Sequence, residues 1–262
     1  MDNEVEKVAV SRFIEATRST IEDVVAREVP FTIILNNQEL VTLLCSPKDL
    51  NFLAAGFLFS EGLLENKDEI KRIAVDTQRG IARVETTEDR ALTDSFKRFI
   101  TSGCGRGAIF YSAADAQGQA KVESQTKVPA DAILALVSEF QHHSEVYRAT
   151  GGVHSAALCD DRNILIFKED IGRHNAIDKI FGECLLKDVP TEGRIVVTSG
   201  RISSEILLKV AKREIPILIS KSAPTDLGVK LAENLGVTLI GFVRGKRMNV
   251  YTNDWRVIGH GE

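Results

Sequence analysis

The chain has 262 residues, of which 44% are hydrophobic and 27% charged; this is ordinary globular usage and excludes a disordered chain. Lys and Arg total 33 against 37 Asp and Glu, a formal net charge of -4, which argues against a general nucleic-acid binder but leaves room for a local basic pocket. The start, MDNEVEKVAV, has no apolar signal core, and no apolar run approaches the ~20 residues of a membrane span, so a soluble protein of the reducing cytoplasm is expected.

Two apolar runs, 31–35 and 40–44, flank Asn36 and Asn37. Asn tolerates the left-handed backbone of a tight turn, so this pattern predicts a β-hairpin. Ser46-Pro47-Lys48-Asp49 follows. Ser as cap, Pro in the first position and Asp in the first turn predict a helix start. That helix carries Leu50, Leu53, Ala54, Phe57 and Leu58 at helical spacing and ends near Gly62. Segments 70–75 and 81–85 read as short strands. The polar stretch 112–128 reads as a linker, dividing an α+β domain, 1–128, from an α/β domain, 129–262.

Pro129 opens a helix with Ile133, Leu136, Val137, Phe140 and Tyr147 on one side, closed by Thr150-Gly151-Gly152. Strands at 163–167, 194–198, 216–220, 237–243 and 248–252 then alternate with helices at 175–186, 203–213 and 226–235. Thr225 is the expected cap of the last helix, and Gly236 ends it. Strand–helix alternation predicts three layers: helices on both faces of a mostly parallel sheet.

Open α/β sheets bind ligands beyond the carboxyl ends of their strands. Three segments there hold the cations Arg201, Lys221, Arg244, Lys246 and Arg247, and no acid. Ser199, Gly200 and Ser222 stand among them. Hydroxyls, exposed amides, Arg forks and helix starts together suit phosphate oxygens. His154, after a pair of glycines, is a candidate hydrogen-bond donor, or a core histidine behind a helix cap. His174, between Arg173 and Asn175 at a helix start, is a second candidate.

The four cysteines, Cys45, Cys104, Cys159 and Cys184, are 59, 55 and 25 residues apart. No disulfide framework or metal-ligand spacing follows, and no metal is expected. Cys45, Cys159 and Cys184 sit in apolar settings and read as core. Cys104 stands in SGCGRG, bare of bulky neighbours, with Arg106 to favour the thiolate. The Gly103-x-Gly105-x-x-Ala108 match to a dinucleotide loop lacks a preceding strand. A deaminase zinc signature is absent, and no nucleophile elbow supports a hydrolase built from Ser203, His174 and Asp170.

Several blocks together resemble the formate dehydrogenase accessory sulfurtransferases (FdhD). These are TGGVHSA at 150–156, EDIGRHNAIDK at 169–179, TSGRISSE at 198–205, SAPT at 222–225 and GFVRGKRMNVY at 241–251. CSPKDL at 45–50 and GFLFSEG at 56–62 fit as well, and the resemblance spans about 30–251. It implies a homodimer whose C-terminal domain is similar to the cytidine deaminase fold. It implies a protein that takes persulfide sulfur from a cysteine desulfurase. The sulfur passes to a molybdenum bis(molybdopterin guanine dinucleotide) cofactor before that cofactor enters formate dehydrogenase. Cys104 would be the carrier, and Phe242, Val243, Arg244, Gly245, Lys246 and Arg247 the cofactor-binding stretch. The family often has a second cysteine in the carrier loop; here that position is Gly107. The alternatives are a chaperone that delivers the cofactor without handling sulfur, and a nucleotide-hydrolysing or deaminating enzyme.

Overall fold

The computed structural model describes residues 3–88 and 119–259. Cys104 and the first part of the predicted linker, 112–118, lie outside them. The chain opens with an antiparallel hairpin, β1 (Val5–Ile14) and β2 (Thr17–Ala26), whose side chains are mostly exposed. The predicted second hairpin follows as β3 (Val29–Leu35) and β4 (Gln38–Cys45). Asn36 and Asn37 have φ of 47 and 65, so both turn residues take the left-handed backbone. With β5 (Ile70–Asp76) and β6 (Ile81–Thr86) they form a four-stranded sheet in the order β4-β3-β6-β5.

Helix α1 (Leu50–Ser60) covers that sheet. Its buried set runs all the way round, through Ala55, Gly56 and Phe59, because a second helix lies against its other side. That helix is α4 (Arg173–Lys187). A Cβ on Gly56 would fall 1.7 Å from the Asp178 carbonyl oxygen, and one on Gly182 would fall 1.9 Å from the Phe52 oxygen. The two helices therefore cross backbone to backbone.

The second half is built on six strands: β8 (His154–Cys159), β9 (Ile164–Asp170), β10 (Ile195–Thr198), β11 (Ile217–Ser220), β12 (Thr238–Arg244) and β13 (Arg247–Thr252). They lie in the order β13-β12-β11-β10-β8-β9. Alternate residues of the strands enter different cores. Ala156, Leu158, Val196, Leu218 and Leu239 join one cluster with α4, α5 (Ser204–Ala211), α6 (Asp226–Asn234), α1 and the four-stranded sheet. Ala157, Cys159, Ile195, Val197, Ile219 and Ile240 pack on the opposite face under α2 (Ala130–His143). The first cluster thus crosses residue 128 without a break. A short parallel pair, β7 (Val128–Pro129) with β14 (Val257–Ile258), ties the start of this half to its end. Among the described residues, no helix is long and apolar enough to cross a membrane.

Four expectations need correction. The six-stranded sheet is mixed: β10 to β11 and β11 to β12 are parallel, while β8 to β10, β8 to β9 and β12 to β13 are antiparallel. Strand β8 escaped the sequence reading because Ser155 to Cys159 are all buried, so no alternation marks them, and Ala is a weak strand former. Ser46 does not cap α1; Asp49 occupies that position with φ 56. Instead the Ser46 hydroxyl accepts the Ile171 N–H at 3.1 Å. Finally, the helix expected from Pro129 to Thr150 breaks at Ser144. There the Ser144 hydroxyl accepts the Tyr147 N–H at 3.1 Å and starts α3 (Glu145–Thr150). The break turns Tyr147 out of the core, leaving it 51% exposed.

Candidate functional site

A cavity of about 690 Å³ opens at the carboxyl ends of β10, β11 and β12. Among the described residues, all that line it fall within 129–262. One wall is apolar and aromatic, with Phe140 from α2, Tyr147 from α3, Val153 and Ile171. The other is polar, with His154 and Ser155 from β8, Ser199 after β10, Lys221 and Ser222 after β11, and Arg244 at the end of β12. Among the described residues, no carboxylate lines it. Gly151, Gly152 and Gly245 leave parts of the rim to bare backbone.

Short-range hydrogen bonds fix the polar wall. Ser199 N–H donates to the Ser155 carbonyl, and Ser155 N–H returns a bond to Ser199 Oγ, both at 3.0 Å. Ser199 Oγ also lies 3.2 Å from His154 Nδ1. Ser220 Oγ donates to the Gly200 carbonyl at 2.7 Å and accepts from Ser222 N–H at 2.9 Å, which holds two of the loops together. Phe242 N–H donates to the Ser222 carbonyl at 3.1 Å from a β-bulge, with the Phe242 backbone at φ 52. After Arg244, Gly245 at φ 57 begins a two-residue turn to Arg247.

Among the described residues, neither Lys221 nor Arg244 forms an ion pair. Burial, and then the charge of Arg244, hold the Lys221 ammonium below its ordinary value. Burial, and then the charges of Arg173 and His174, push His154 below its ordinary value, so its neutral form is favoured. An anion entering here would relieve cation–cation repulsion and meet donors already in place.

Of the residues singled out from sequence, the cavity gathers His154, Ser199, Lys221, Ser222, Val243, Arg244 and Gly245. It does not gather the others. Gly200 sits behind Ser199, where a Cβ would meet the Arg173 side chain at 2.9 Å. Arg201, Lys246 and Arg247 are exposed outside the lining. Phe242 serves the bulge, its ring 6.0 Å from the Arg244 guanidinium. His174 turns to Glu205, with Nε2 3.1 Å from the carboxylate. The sequence reading missed Gln141, Ser144, Tyr147 and Ile171. Ser144-Glu145, a capping residue followed by a first-turn acid, was the available signal for a new helix there.

The most distinctive block, EDIGRHNAIDK, builds a buried polar seam instead. Asp170 and Lys179, both fully buried, pair at 2.6 Å. Asp170 also accepts from Ser46 N–H at 3.1 Å, Gly172 N–H at 2.9 Å and Asn175 Nδ2 at 2.9 Å. Asp178 meets Lys209 at 2.8 Å through both oxygens and accepts from Ser60 Oγ at 2.6 Å. Ser46, Ser60 and Asp49, which pairs with Lys168 at 2.9 Å, come from the first half. The seam is the polar counterpart of the α1–α4 crossing. It also removes Asp170 and His174 from any hydrolytic triad.

Cys45, Cys159 and Cys184 are buried, as expected, and burial pushes each thiol up to about 12. They are poor nucleophiles at neutral pH. Cys104 lies outside the described residues.

The FdhD/NarQ family model matches residues 26–258. The sulfur carrier protein FdhD of Bacillus subtilis (strain 168) is 45% identical over 250 residues, covering 95% of each chain. The protein of the same name from Staphylococcus aureus (strain MRSA252) is 38% identical over 253 residues, again 95% of each. A crystal structure from Desulfotalea psychrophila, described as a formate dehydrogenase accessory protein, superposes with a TM-score of 0.81 at 28% identity. The match covers 97% of this chain and 99% of that one. The chain belongs to the FdhD/NarQ family.

Proposed function

We propose that this protein is a cytoplasmic sulfurtransferase. It receives sulfur from a cysteine desulfurase and passes it to a molybdenum bis(molybdopterin guanine dinucleotide) cofactor, its substrate, before that cofactor enters formate dehydrogenase. The observation that carries this reading is the cavity in which Lys221, Arg244, Ser199 and Ser222 converge with no carboxylate among the described lining residues. Such a lining suits the phosphates of a guanine dinucleotide arm. The wall of Phe140 and Tyr147 gives a base an aromatic face to lie against. The names of the relatives supply the sulfur-carrying role. We extend the reading to a homodimer and to a six-stranded unit of cytidine deaminase-like type.

Cys104 is the carrier in this scheme. Its thiolate attacks the terminal sulfur of the donor persulfide, as in disulfide exchange. The donor's S–S bond breaks, the donor cysteine leaves as thiolate, and a persulfide forms on Cys104 with no net change in oxidation. The burial of the other three thiols supports this assignment. Gly107 leaves no second thiol in SGCGRG for a relay. Incubation with a desulfurase and cysteine is expected to add the mass of one sulfur atom to the Cys104 peptide, and Cys104→Ala is expected to abolish formate dehydrogenase maturation. Full maturation by Cys104→Ala, with no sulfur adduct on the parent protein, would replace this reading with a delivery chaperone.

A further inference from the structure

We infer that Ser199 locks His154 in the tautomer that carries its proton on Nε2, and that this N–H is a hydrogen-bond donor to a phosphoryl oxygen in the cavity. Three observations lead there. An amide can only donate, so the Ser155 N–H at 3.0 Å makes Ser199 Oγ an acceptor. The hydroxyl then has one hydrogen to give, and His154 Nδ1 lies 3.2 Å away to receive it. A neutral imidazole that accepts at Nδ1 holds its proton at Nε2.

The setting keeps the ring neutral. Burial and the nearby charges of Arg173 and His174 oppose protonation, and only Asp170, itself paired with Lys179, favours it. Within the described residues Nε2 makes no hydrogen bond, and the side chain lines the cavity. The opposite tautomer would ask Ser199 Oγ to accept two hydrogens and leave its own without this acceptor. It would also place a bare nitrogen, not a donor, beside the ligand space. Ser199 is thus a positioning residue and His154 a ligand-contacting one. A neutral donor adds direction to a pocket whose charge comes from Lys221 and Arg244, because a hydrogen bond falls off steeply with angle and a point charge does not.

The ligand part rests on the cavity being a phosphate site; the tautomer does not, so the two can fail separately. In isotope-labelled full-length protein, long-range proton–nitrogen NMR reads the two ring nitrogens, with the His154 signals identified by their loss in His154→Gln. The free protein is expected to show a bare Nδ1 and a protonated Nε2, and Ser199→Ala is expected to give a mixture of tautomers. A protonated Nδ1 in the parent protein, or an unchanged spectrum in Ser199→Ala, would overturn the lock. GDP is the probe for the second part. Gln places an N–H near the Nε2 position and Asn near Nδ1. His154→Gln is therefore expected to hold GDP affinity within about threefold, and His154→Asn to lose about tenfold. Equal loss in both variants would overturn the donor role. A correct tautomer with no GDP binding by any form would reject the phosphate reading of the cavity and leave the lock standing.

Discussion

The buried seam and the open cavity are both dense in charge, yet they differ in how that charge is answered. In the seam every formal charge has a partner of opposite sign: Asp170 with Lys179, Asp178 with Lys209, and Lys168 with Asp49 and Glu183. In the cavity, Lys221 and Arg244 have none among the described residues. A satisfied cluster holds elements together, whereas an unsatisfied one leaves its charge open to an anion from outside. A motif rich in titratable groups is therefore no guide to chemistry until its partners are known.

Breaking the seam should cost the most. Lys179→Met would leave the Asp170 carboxylate buried beside no counter-charge, a loss of about 3–5 kcal/mol in folding free energy by urea denaturation. A loss below about 1 kcal/mol would mean the pair is dispensable and the contrast with the cavity false. Gly56→Ala attacks the same junction without touching charge. The new methyl would collide with backbone, which cannot rotate away, so the cost lies near the upper end of about 1–3 kcal/mol for overpacking. Tolerance of this change would show that α1 and α4 can slide apart.

Much of the architecture was legible. The Asn36-Asn37 hairpin, the Thr225 cap and the three core cysteines each follow from a local rule, and each is present. Position beyond the strand ends led to Ser199, Ser222 and Arg244, because the sheet itself fixes where those loops gather. What failed depended on partners distant in sequence. Ser46 looked like a cap because capping is local, but Ile171, 125 residues on, claims its hydroxyl. His174 looked like a ligand contact for its place at a helix start, and Glu205 on α5 claims it. Tyr147 looked buried because the period continued through Ser144, where the backbone does not. Strand β8 carried no period at all, and its antiparallel pairing changed the sheet from mostly parallel to mixed.

The cavity should respond in the opposite sense to the seam. Lys221→Ala and Arg244→Ala are each expected to weaken GDP binding about tenfold, or ~1.4 kcal/mol, by calorimetry. Neither should lower folding stability by more than about 0.5 kcal/mol, since each removes a charge that repels its neighbour. Marked destabilisation with unchanged affinity would make these cations structural and erase the distinction between the two regions.

The smallest effect lies between them, at His174 and Glu205. The hydrogen bond from His174 holds the Glu205 carboxyl below the usual carboxylate value, against the opposing effect of burial. A carboxyl with a lowered folded-state pKa stabilises the fold fully only above its unfolded-state value of about 4.3, and that stability drains away as pH falls through the folded value. Glu205→Gln should therefore lower stability near neutral pH by only about 0.5–1 kcal/mol, because the pair is partly exposed. The difference from the parent should shrink as denaturation is repeated at falling pH below about 4.3. A constant difference across that range would show that Glu205 acts by packing rather than by charge. It would then belong to neither the answered charges of the seam nor the unanswered ones of the cavity.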